Sequence, residues 1–452
     1  MSNSSVEPTP GPSGTRHDPV QLRRAVTSSF IGSVIEYYDF LLYATASAVV
    51  FDRVFFSNLP QLVATVASFL TLATGYLGRP LGGIIFGHFG DRLGRKRMLI
   101  LTMTLMGVAS TLIGLLPTYA QVGVIAPIAL VLLRVLQGIA VGGEWGGAVL
   151  ISAEHATRRR GLWASFTNAG APFGMVVSTA VLTATSAAVG NEAFLAWGWR
   201  IPFLLSIVLL GIGLFIRLRV AETPVFNAAA EAAGGRPSRA PLVEVLRNHP
   251  RPLLLGIGVG LSAFFAQGTL TTFLIAYGVG VGFERQTVLN ALTLSSALAV
   301  IAIIGWSAFS DRVGRRPVVI SGAVVMGVFA FALFPLVDSG SAVLLTLAVV
   351  LGQAVIHPMM YGPLAALYSE LFSTRNRYTG ASLGYQIAGI GAGIAPLICA
   401  EVQRVTGGGG TLLISAIIAA FCLLTVVCTV ALAETSRRDL ADVSATAGTA
   451  AS

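Results

Sequence analysis

Four ionisable residues lie inside long apolar stretches of this sequence, at Glu36, Asp39, Arg134 and Glu144. Each would cost about 2.5 to 3.5 kcal/mol at the centre of a membrane helix, so chains keep such residues where they pair or line a wet pathway. A carboxylate held ionised by a guanidinium becomes protonatable when a substrate carboxylate takes over that guanidinium. These residues therefore predict coupled binding of a proton and a small anion.

The spacing places these groups on faces of two helices. Glu36 and Asp39 share one face of the first predicted helix, and Arg134 and Gln137 share a face of the fourth. We expect Arg134 to meet an anionic substrate and Glu36 or Asp39 to carry the proton; the alternative is a fixed structural ion pair between the two helices. Glu144 lies among glycines that permit close helix approach, and it fits a proton relay and a structural brace equally well.

The second half of the chain offers polar, largely uncharged groups for a substrate. His357 is the one histidine deep within an apolar stretch, beside Pro358, which would kink its helix. It fits either a titrating group or a ligand to a substrate hydroxyl. Arg79, near one helix end, is expected to snorkel or brace. The expected substrate ligands are Tyr37, Tyr43, Arg134, Gln137, Trp145, Asn168, Gln267, Thr272, His357, Tyr361, Tyr385 and Gln386.

A short charged loop occurs twice, as Gly-His-Phe-Gly-Asp-Arg-Leu-Gly-Arg-Lys at 87–96 and as Ser-Ala-Phe-Ser-Asp-Arg-Val-Gly-Arg-Arg at 307–316. Such a repeat indicates a duplicated membrane unit. A carboxylate at this turn can accept hydrogen bonds from a neighbouring helix terminus and from arginines, so the loop predicts a latch. The expected gate residues, some of which could equally be braces, are Asp91, Arg92, Arg95, Glu154, Asp311, Arg312, Arg315 and Glu370.

Membrane helices must position these residues. The 452-residue chain is 54% hydrophobic and 11% charged, and its apolar stretches run to about the 20 residues that a membrane helix needs. They are too continuously apolar for outer-membrane strands. We predict an all-α membrane protein with twelve transmembrane helices in two pseudo-symmetric six-helix bundles. The expected divisions are a disordered N-terminus at 1–22, a first bundle at 23–218, a linker at 219–252, a second bundle at 253–434 and a tail at 435–452.

The basic residues orient the chain. Most of its 29 Lys and Arg fall in segments on one side of the predicted helices, whereas the other side holds only Arg53, Arg200, Arg285 and Arg404. The positive-inside rule then places both termini in the cytoplasm, with the protein in the inner (plasma) membrane. The net charge of +9 follows from this topology and anionic lipid, so we expect no nucleic-acid partner.

The expected partners are the lipid bilayer, protons and one small carboxylate or zwitterion. The three cysteines lack metal-ligand spacing, so no metal or cofactor is expected. We expect a monomer, although the sequence carries no direct signal for the oligomeric state.

The duplicated loop, together with Arg134-x-x-Gln137-Gly138, resembles the signatures of the major facilitator superfamily. Within it, segments spread over nearly the whole chain resemble the metabolite:proton symporters, nearest to their shikimate-transporter-like branch. They are Ile-Glu-Tyr-Tyr-Asp-Phe at 35–40, Gly-Arg-Pro-Leu-Gly-Gly at 78–83, Gly-Gly-Glu-Trp-Gly-Gly-Ala at 142–148, Trp-Arg-Ile-Pro-Phe at 199–203 and Glu-Thr-Pro-Val-Phe at 222–226. The resemblance implies import of shikimate, 2-oxoglutarate, citrate or other carboxylic acids, or of proline or betaine, with protons.

The function expected from the residues and the resemblance together is secondary active symport by alternating access, without enzymatic activity. A proton-driven exporter is the alternative, because Arg134-x-x-Gln137-Gly138 also resembles antiporter patterns. A membrane sensor or an embedded enzyme is a distant one: the sequence contains neither a phosphate-binding Gly-x4-Gly-Lys-Ser/Thr nor a His-Glu-x-x-His motif.

Overall fold

The structure, a computed structural model, describes residues 19–156, 158–223, 241–374 and 376–438. Twelve long helices account for most of these residues, and we number them in chain order. They are α1 (Pro19–Val49), α2 (Gln61–Leu93), α3 (Arg95–Leu115), α4 (Ile125–His155), α5 (Arg160–Val189), α6 (Arg200–Leu218), α7 (Pro250–Gly280), α8 (Arg285–Val313), α9 (Arg315–Asp338), α10 (Ala342–Leu371), α11 (Arg377–Val405) and α12 (Thr411–Ala431).

Ten of these helices are long and apolar enough to cross a membrane, counting only the residues that the structure describes. The other two long helices are α1 and α2. Glu36 and Asp39 lie in α1, and Arg79 and Asp91 lie in α2. These two helices thus carry much of the charge that the site requires.

Two helices of the second half contain a π-helical turn. The turn in α7 spans Thr269–Phe273, and the turn in α10 spans Val350–Ile356. In α10 the turn ends immediately before His357 and Pro358. Proline has no N–H to donate, and its ring clashes with the carbonyl four residues earlier, so a widened turn relieves that position. His357 therefore lies at a local change of helix geometry.

The two halves meet through helix pairs that correspond under the internal repeat. α2 packs against α11, and α5 packs against α8, while α4 also contacts α10 and α11. Glycines make the approach to α4 possible. An added Cβ at Gly142 would collide with the backbone of Arg79 in α2, and one at Gly146 would collide with Ser382 of α11. Close approach without bulky side chains is a common way to pack membrane helices.

Two boundaries differ from those expected. α1 begins at Pro19, so residues 19–22 are helical rather than disordered, because Leu22 is buried against Ala156 at the end of α4. The segment expected as a linker contains a short helix, Pro241–Asn248, which contacts α2, α7 and α11. The remaining predictions for 1–18, 224–240 and 439–452 lie outside the described residues.

Candidate functional site

A cavity lies between α1, α2, α3 and α4. Its lining includes both acids of α1, Glu36 and Asp39, and both arginines of the interior, Arg79 and Arg134. We call it the arginine cavity. It brings together in the first half four residues that the sequence spreads over about 100 positions.

Asp39 does not pair directly with Arg134. Its two carboxylate oxygens accept hydrogen bonds from the hydroxyls of Ser110 (2.6 Å) and Ser206 (2.7 Å). Ser110 in turn accepts a bond from the Gln137 amide (2.6 Å), whose oxygen accepts one from Arg134 (3.2 Å). The direct ion pair considered from the sequence is thus replaced by a chain of hydrogen bonds from guanidinium to carboxylate.

Both guanidiniums of this cavity lie over aromatic rings rather than beside acids. Arg134 lies 4.1 Å from the ring centre of Tyr43, and Arg79 lies 4.7 Å from that of Tyr76. Both also lie over Phe40, at 5.4 and 5.2 Å. Among the described residues, no carboxylate lies within ion-pair distance of either arginine. Cation–π contacts compensate a desolvated guanidinium only partly, so both remain able to attract an anion.

Glu36 is the least satisfied acid of the cavity. The residue is 4% exposed, and its Oε2 atom has no hydrogen-bond partner among the described residues. A buried carboxylate oxygen without a donor is costly if the group is ionised. Protonation would remove that cost. The geometry therefore suits a neutral, protonated Glu36, whereas it suits an ionised Asp39.

Aromatic and amide side chains of α4, α5, α10 and α11 join the two halves at the centre of the molecule. The Trp145 ring stacks on Tyr385, with ring centres 3.4 Å apart, and the Tyr385 hydroxyl lies 2.8 Å from that of Tyr361. Asn168 accepts a bond from the Trp145 indole (2.9 Å) and donates one to the Tyr361 carbonyl (2.9 Å). We call these four residues the aromatic bridge. Nearby, the Gln386 amide donates to the Gly142 carbonyl (3.2 Å).

A second cavity lies between α5 of the first half and α7, α8 and α10 of the second. Gln267, Thr271, Gln353, His357 and Tyr361 supply its polar lining, and we call it the histidine cavity.

One expected ligand of this cavity is misplaced. Thr272 is exposed and does not line the histidine cavity, whereas its neighbour Thr271 does. Four residues separate Gln267 from Thr271, which is the spacing that keeps two side chains on one helix face. The prediction therefore named Thr272, the neighbour of the threonine that faces the cavity.

Glu144 does not line either cavity. It forms a buried ion pair with Arg217 near the end of α6. Arg217 did not appear among the expected site residues. A basic residue near a helix end is first interpreted as a signal of membrane topology. The signal that could have identified it is the need of a buried carboxylate in α4 for a positive partner.

The duplicated loops lie at one end of the bundle, which we call the latch face. Asp91 of α2 accepts bonds from the backbone of Tyr378 (3.1 Å) and from the backbone and hydroxyl of Thr379 (2.9 and 2.8 Å), in the first turn of α11. Asp311 of α8 accepts bonds from the backbone of Gly161 (2.8 Å) and Leu162 (2.9 Å), in the first turn of α5. Free amides and the positive end of the helix dipole favour a carboxylate at such a position. Each aspartate therefore ties one half to the other.

A glycine directly after each loop helix makes this geometry possible. Gly94 and Gly314 have φ angles of 102° and 101°, which side chains rarely allow, and α3 and α9 start at the next residue. Arg92 and Arg312, expected in the gate, are instead exposed.

Ion pairs surround both latches. Glu154 of α4 pairs with Arg95 (2.9 Å) in its own half and with Arg377 (3.0 Å) in the other. Glu370 of α10 pairs with Arg315 (3.2 Å) in its own half, and Arg315 also pairs with Asp311 (2.8 Å).

Two further latch residues were not among the expected ones. Glu434, just beyond α12, accepts bonds from the first backbone amides of α9, at Arg315 (2.9 Å) and Arg316 (3.1 Å). Glu222, just beyond α6, accepts one from the backbone of Lys96 (3.1 Å) in α3. A repeated Glu-Thr pair, at 222–223 and 434–435, is the sequence signal that could have found them.

Comparisons with known proteins agree with this architecture. Residues 30–396 match the profile of the Major Facilitator Superfamily. The chain is 39% identical over 392 residues to a putative metabolite transport protein of Haemophilus influenzae, covering 83% of this chain and 87% of the relative. It is 39% identical over 383 residues to the shikimate transporter of Escherichia coli, covering 84% and 87%, and 33% identical over 394 residues to the proline/betaine transporter of Salmonella typhimurium, covering 85% and 78%.

Solved structures share the fold. The proton:xylose symporter XylE bound to 6-bromo-6-deoxy-D-glucose superimposes with a TM-score of 0.76 at 17% identity, covering 94% of this chain and 98% of the neighbour. XylE of Escherichia coli in a partially occluded inward open conformation gives 0.68 at 20% identity, covering 93% and 100%. The expected twelve-helix fold is thereby confirmed. The chain belongs to the major facilitator superfamily, as a multi-pass membrane transporter whose curated relatives move metabolites.

Proposed function

We propose that this transporter imports a small organic acid or zwitterionic metabolite together with protons, by alternating access. The observation that carries the proposal is the arginine cavity, in which the buried guanidinium of Arg134 and the partly buried one of Arg79, both without ion-pair partners among the described residues, face two buried acids. The guanidiniums supply an anion site, and the acids supply proton carriers.

Coupling follows from the hydrogen-bond chain between Arg134 and Asp39. A substrate carboxylate that binds Arg134 competes for the guanidinium that now donates to Gln137. Gln137 donates to Ser110, and Ser110 to Asp39, so a change at the arginine alters the field at the carboxylate. Loss of that positive influence favours a protonated Asp39. Proton and substrate would then cross together.

The closed latch fits one state of this cycle. Asp91 and Asp311 hold the two halves together at the latch face, so the substrate would enter from the opposite end. Release requires these contacts to break while the two bundles rock about the central site. The clustering of basic residues in the loops of this face supports its assignment to the cytoplasm, so the state described here would be closed on the cytoplasmic side.

Proteoliposomes containing an internal pH dye test the proposal. Shikimate, 2-oxoglutarate and glycine betaine are added outside in turn, and we expect one of them to drive proton entry. A single coupled proton that carries one net charge supports about 50-fold accumulation at about 100 mV, because that charge transfer is worth about 2.3 kcal/mol. Proton efflux on addition of substrate would contradict symport and indicate an exporter.

Asp39→Asn separates coupling from binding. We expect it to keep exchange of labelled substrate across the membrane and to lose proton-driven accumulation, because the amide mimics a permanently protonated carboxyl. Asp338→Asn is the matched control, since Asp338 is an exposed acid that accepts a bond from Tyr277 at a helix end outside both cavities. Unchanged proton uptake in both Asp39→Asn and Glu36→Gln would contradict the assignment of the proton carrier.

A further inference from the structure

The histidine cavity contains a buried acceptor that its surroundings leave unused. His357 is 5% exposed, and its Nε2 atom has no hydrogen-bond partner among the described residues. Buried polar atoms in native proteins nearly always have a partner, and an exception calls for an explanation. A ligand that completes the site is one such explanation.

The protonation of the ring is fixed by its other nitrogen. Since Nε2 has no partner, the hydrogen bond between His357 and the backbone of Ala263 in α7 involves Nδ1. A helix-interior carbonyl can only accept, so Nδ1 carries the hydrogen and Nε2 presents a lone pair. The ring also stacks on Tyr361, with ring centres 5.1 Å apart, which holds its orientation. His357 therefore offers the cavity a preformed acceptor.

Two other polar side chains of this cavity, Gln353 and Thr271, are already engaged within the protein. Gln353 accepts a bond from Ser295 and donates one to Ser296, each at 3.1 Å. Thr271 donates its hydroxyl to the Gln267 carbonyl at 2.8 Å. None of the described residues that line the cavity is Asp, Glu, Lys or Arg. A carboxylate would find no positive partner in this cavity, whereas a neutral hydroxyl finds an acceptor at the histidine.

We propose that His357 Nε2 accepts a hydrogen bond from a hydroxyl of the substrate, and that the transporter therefore selects hydroxylated organic acids over their deoxy analogues. The inference rests on the proposed function, because the carboxylate of the same substrate is assigned to the arginine cavity. Substrate recognition is thus divided between the halves. The first half binds the substrate carboxylate, and the second half binds the substrate hydroxyl.

Matched substrate pairs test the proposal in proteoliposomes. The pairs are shikimate with cyclohex-1-ene-1-carboxylate, malate with succinate, and carnitine with γ-butyrobetaine, each differing only in hydroxyl groups. We expect the transported pair to show a KM about 10-fold lower for its hydroxylated member, the scale of one buried hydrogen bond. Equal KM values, or a preference for the deoxy member, would overturn the inference. Transport of 2-oxoglutarate or glycine betaine but of no compound from any pair would overturn the inference and leave the proposed function standing, whereas transport of none of these compounds would contradict the proposed function.

Two variants of His357 distinguish recognition from structure. His357→Leu removes the acceptor, and we expect it to raise the KM of the hydroxylated member about 10-fold while leaving that of the deoxy member nearly unchanged. His357→Gln keeps an acceptor near the Nε2 position, and we expect it to retain the preference. His155→Leu, at a histidine in α4 that also contacts a helix carbonyl but lies outside both cavities, is the control. A parallel loss for both substrates in both His357 variants would indicate a structural role and overturn the proposal.

Discussion

At the latch face the two halves of the chain place equivalent residues in equivalent positions, whereas in the cavities they do not. Asp91 and Asp311 each bind the first turn of a helix from the other half, and Gly94 and Gly314 have nearly the same φ angle. The arginine cavity, by contrast, is built from the first half and is charged, and the histidine cavity lies mostly in the second half and is neutral.

The difference indicates which parts of a duplicated transporter are free to diverge. Opening the latch face requires both halves to release contacts of the same kind, so a symmetric pair of latches serves both. Under the proposed function, charge coupling and substrate recognition are distinct tasks, and a single copy of each would suffice. Divergence would then concentrate where the two halves do different chemistry.

The largest effect on stability is expected at Glu154 and Glu370, because these equivalent acids of the two halves form different ion pairs. Among the described residues, Glu154 pairs with two buried arginines, one from each half, whereas Glu370 pairs with Arg315, which also pairs with Asp311. Glu154→Gln should lower the free energy of unfolding by about 3 kcal/mol, because it weakens two buried ion pairs at once, and Glu370→Gln should cost clearly less, because it weakens one such pair among the described residues. Thermal unfolding in detergent measures both.

Equal losses in the two variants would contradict this asymmetry. Glu401→Gln is the control, since its carboxylate pairs with Arg404 on the exposed end of α11 and should matter little.

The two latch aspartates provide the symmetric counterpart. Asp91→Asn and Asp311→Asn should each raise the open fraction of the latch face about 10-fold, because each loses charge-assisted bonds to a helix terminus. A cysteine introduced at the buried Ser382, beneath the closed latch in α11, reports the opening through its rate of reaction with a water-soluble maleimide. The three native cysteines would first be replaced by serine.

A large response to one aspartate and none to the other would show that the resemblance between the two loops is not functional. Arg92→Gln serves as the control, because Arg92 belongs to the same loop but is exposed.

The fold followed from the sequence because membrane helices leave a strong signal. The apolar length and the register of the repeated loop predicted twelve helices in two bundles, which the comparisons confirm. The structure also brings Glu36, Asp39, Arg134 and Gln137 to one cavity, as their helical spacing indicated, although their roles remain predictions.

The details that the sequence did not supply depend on tertiary packing. Arg79 was expected to snorkel or brace, yet it lines the arginine cavity, because Gly142 brings α4 onto the backbone of α2 at that position. Thr272 was assigned to a face that Thr271 occupies. Such outcomes depend on the rotation of a helix about its axis, which an apolar stretch surrounded by lipid and protein specifies weakly.

The smallest effect is expected at the repeated Glu-Thr pair, where pH can be used to compare the halves. Partial burial alone would raise the pKa of Glu434, but hydrogen bonds from the backbones of Arg315, Ser436 and Arg316 outweigh it and hold that pKa below its ordinary value of 4.5. A carboxyl with a lowered pKa in the folded state stabilises the fold at pH values above its ordinary pKa. That contribution is lost as the pH falls through the lowered value.

Melting temperatures of the wild type and of Glu434→Gln should therefore differ slightly at pH 7 and converge as the pH falls from the ordinary pKa of 4.5 through the lowered pKa of Glu434. Glu222→Gln should show a smaller difference at pH 7, because Glu222 accepts a bond from one amide of α3 where Glu434 accepts bonds from two of α9. A constant difference between wild type and Glu434→Gln down to pH 3 would mean that the variant acts through shape rather than charge. In that case, a difference between Glu222→Gln and Glu434→Gln would not report the number of hydrogen bonds that each carboxylate accepts from α3 or α9.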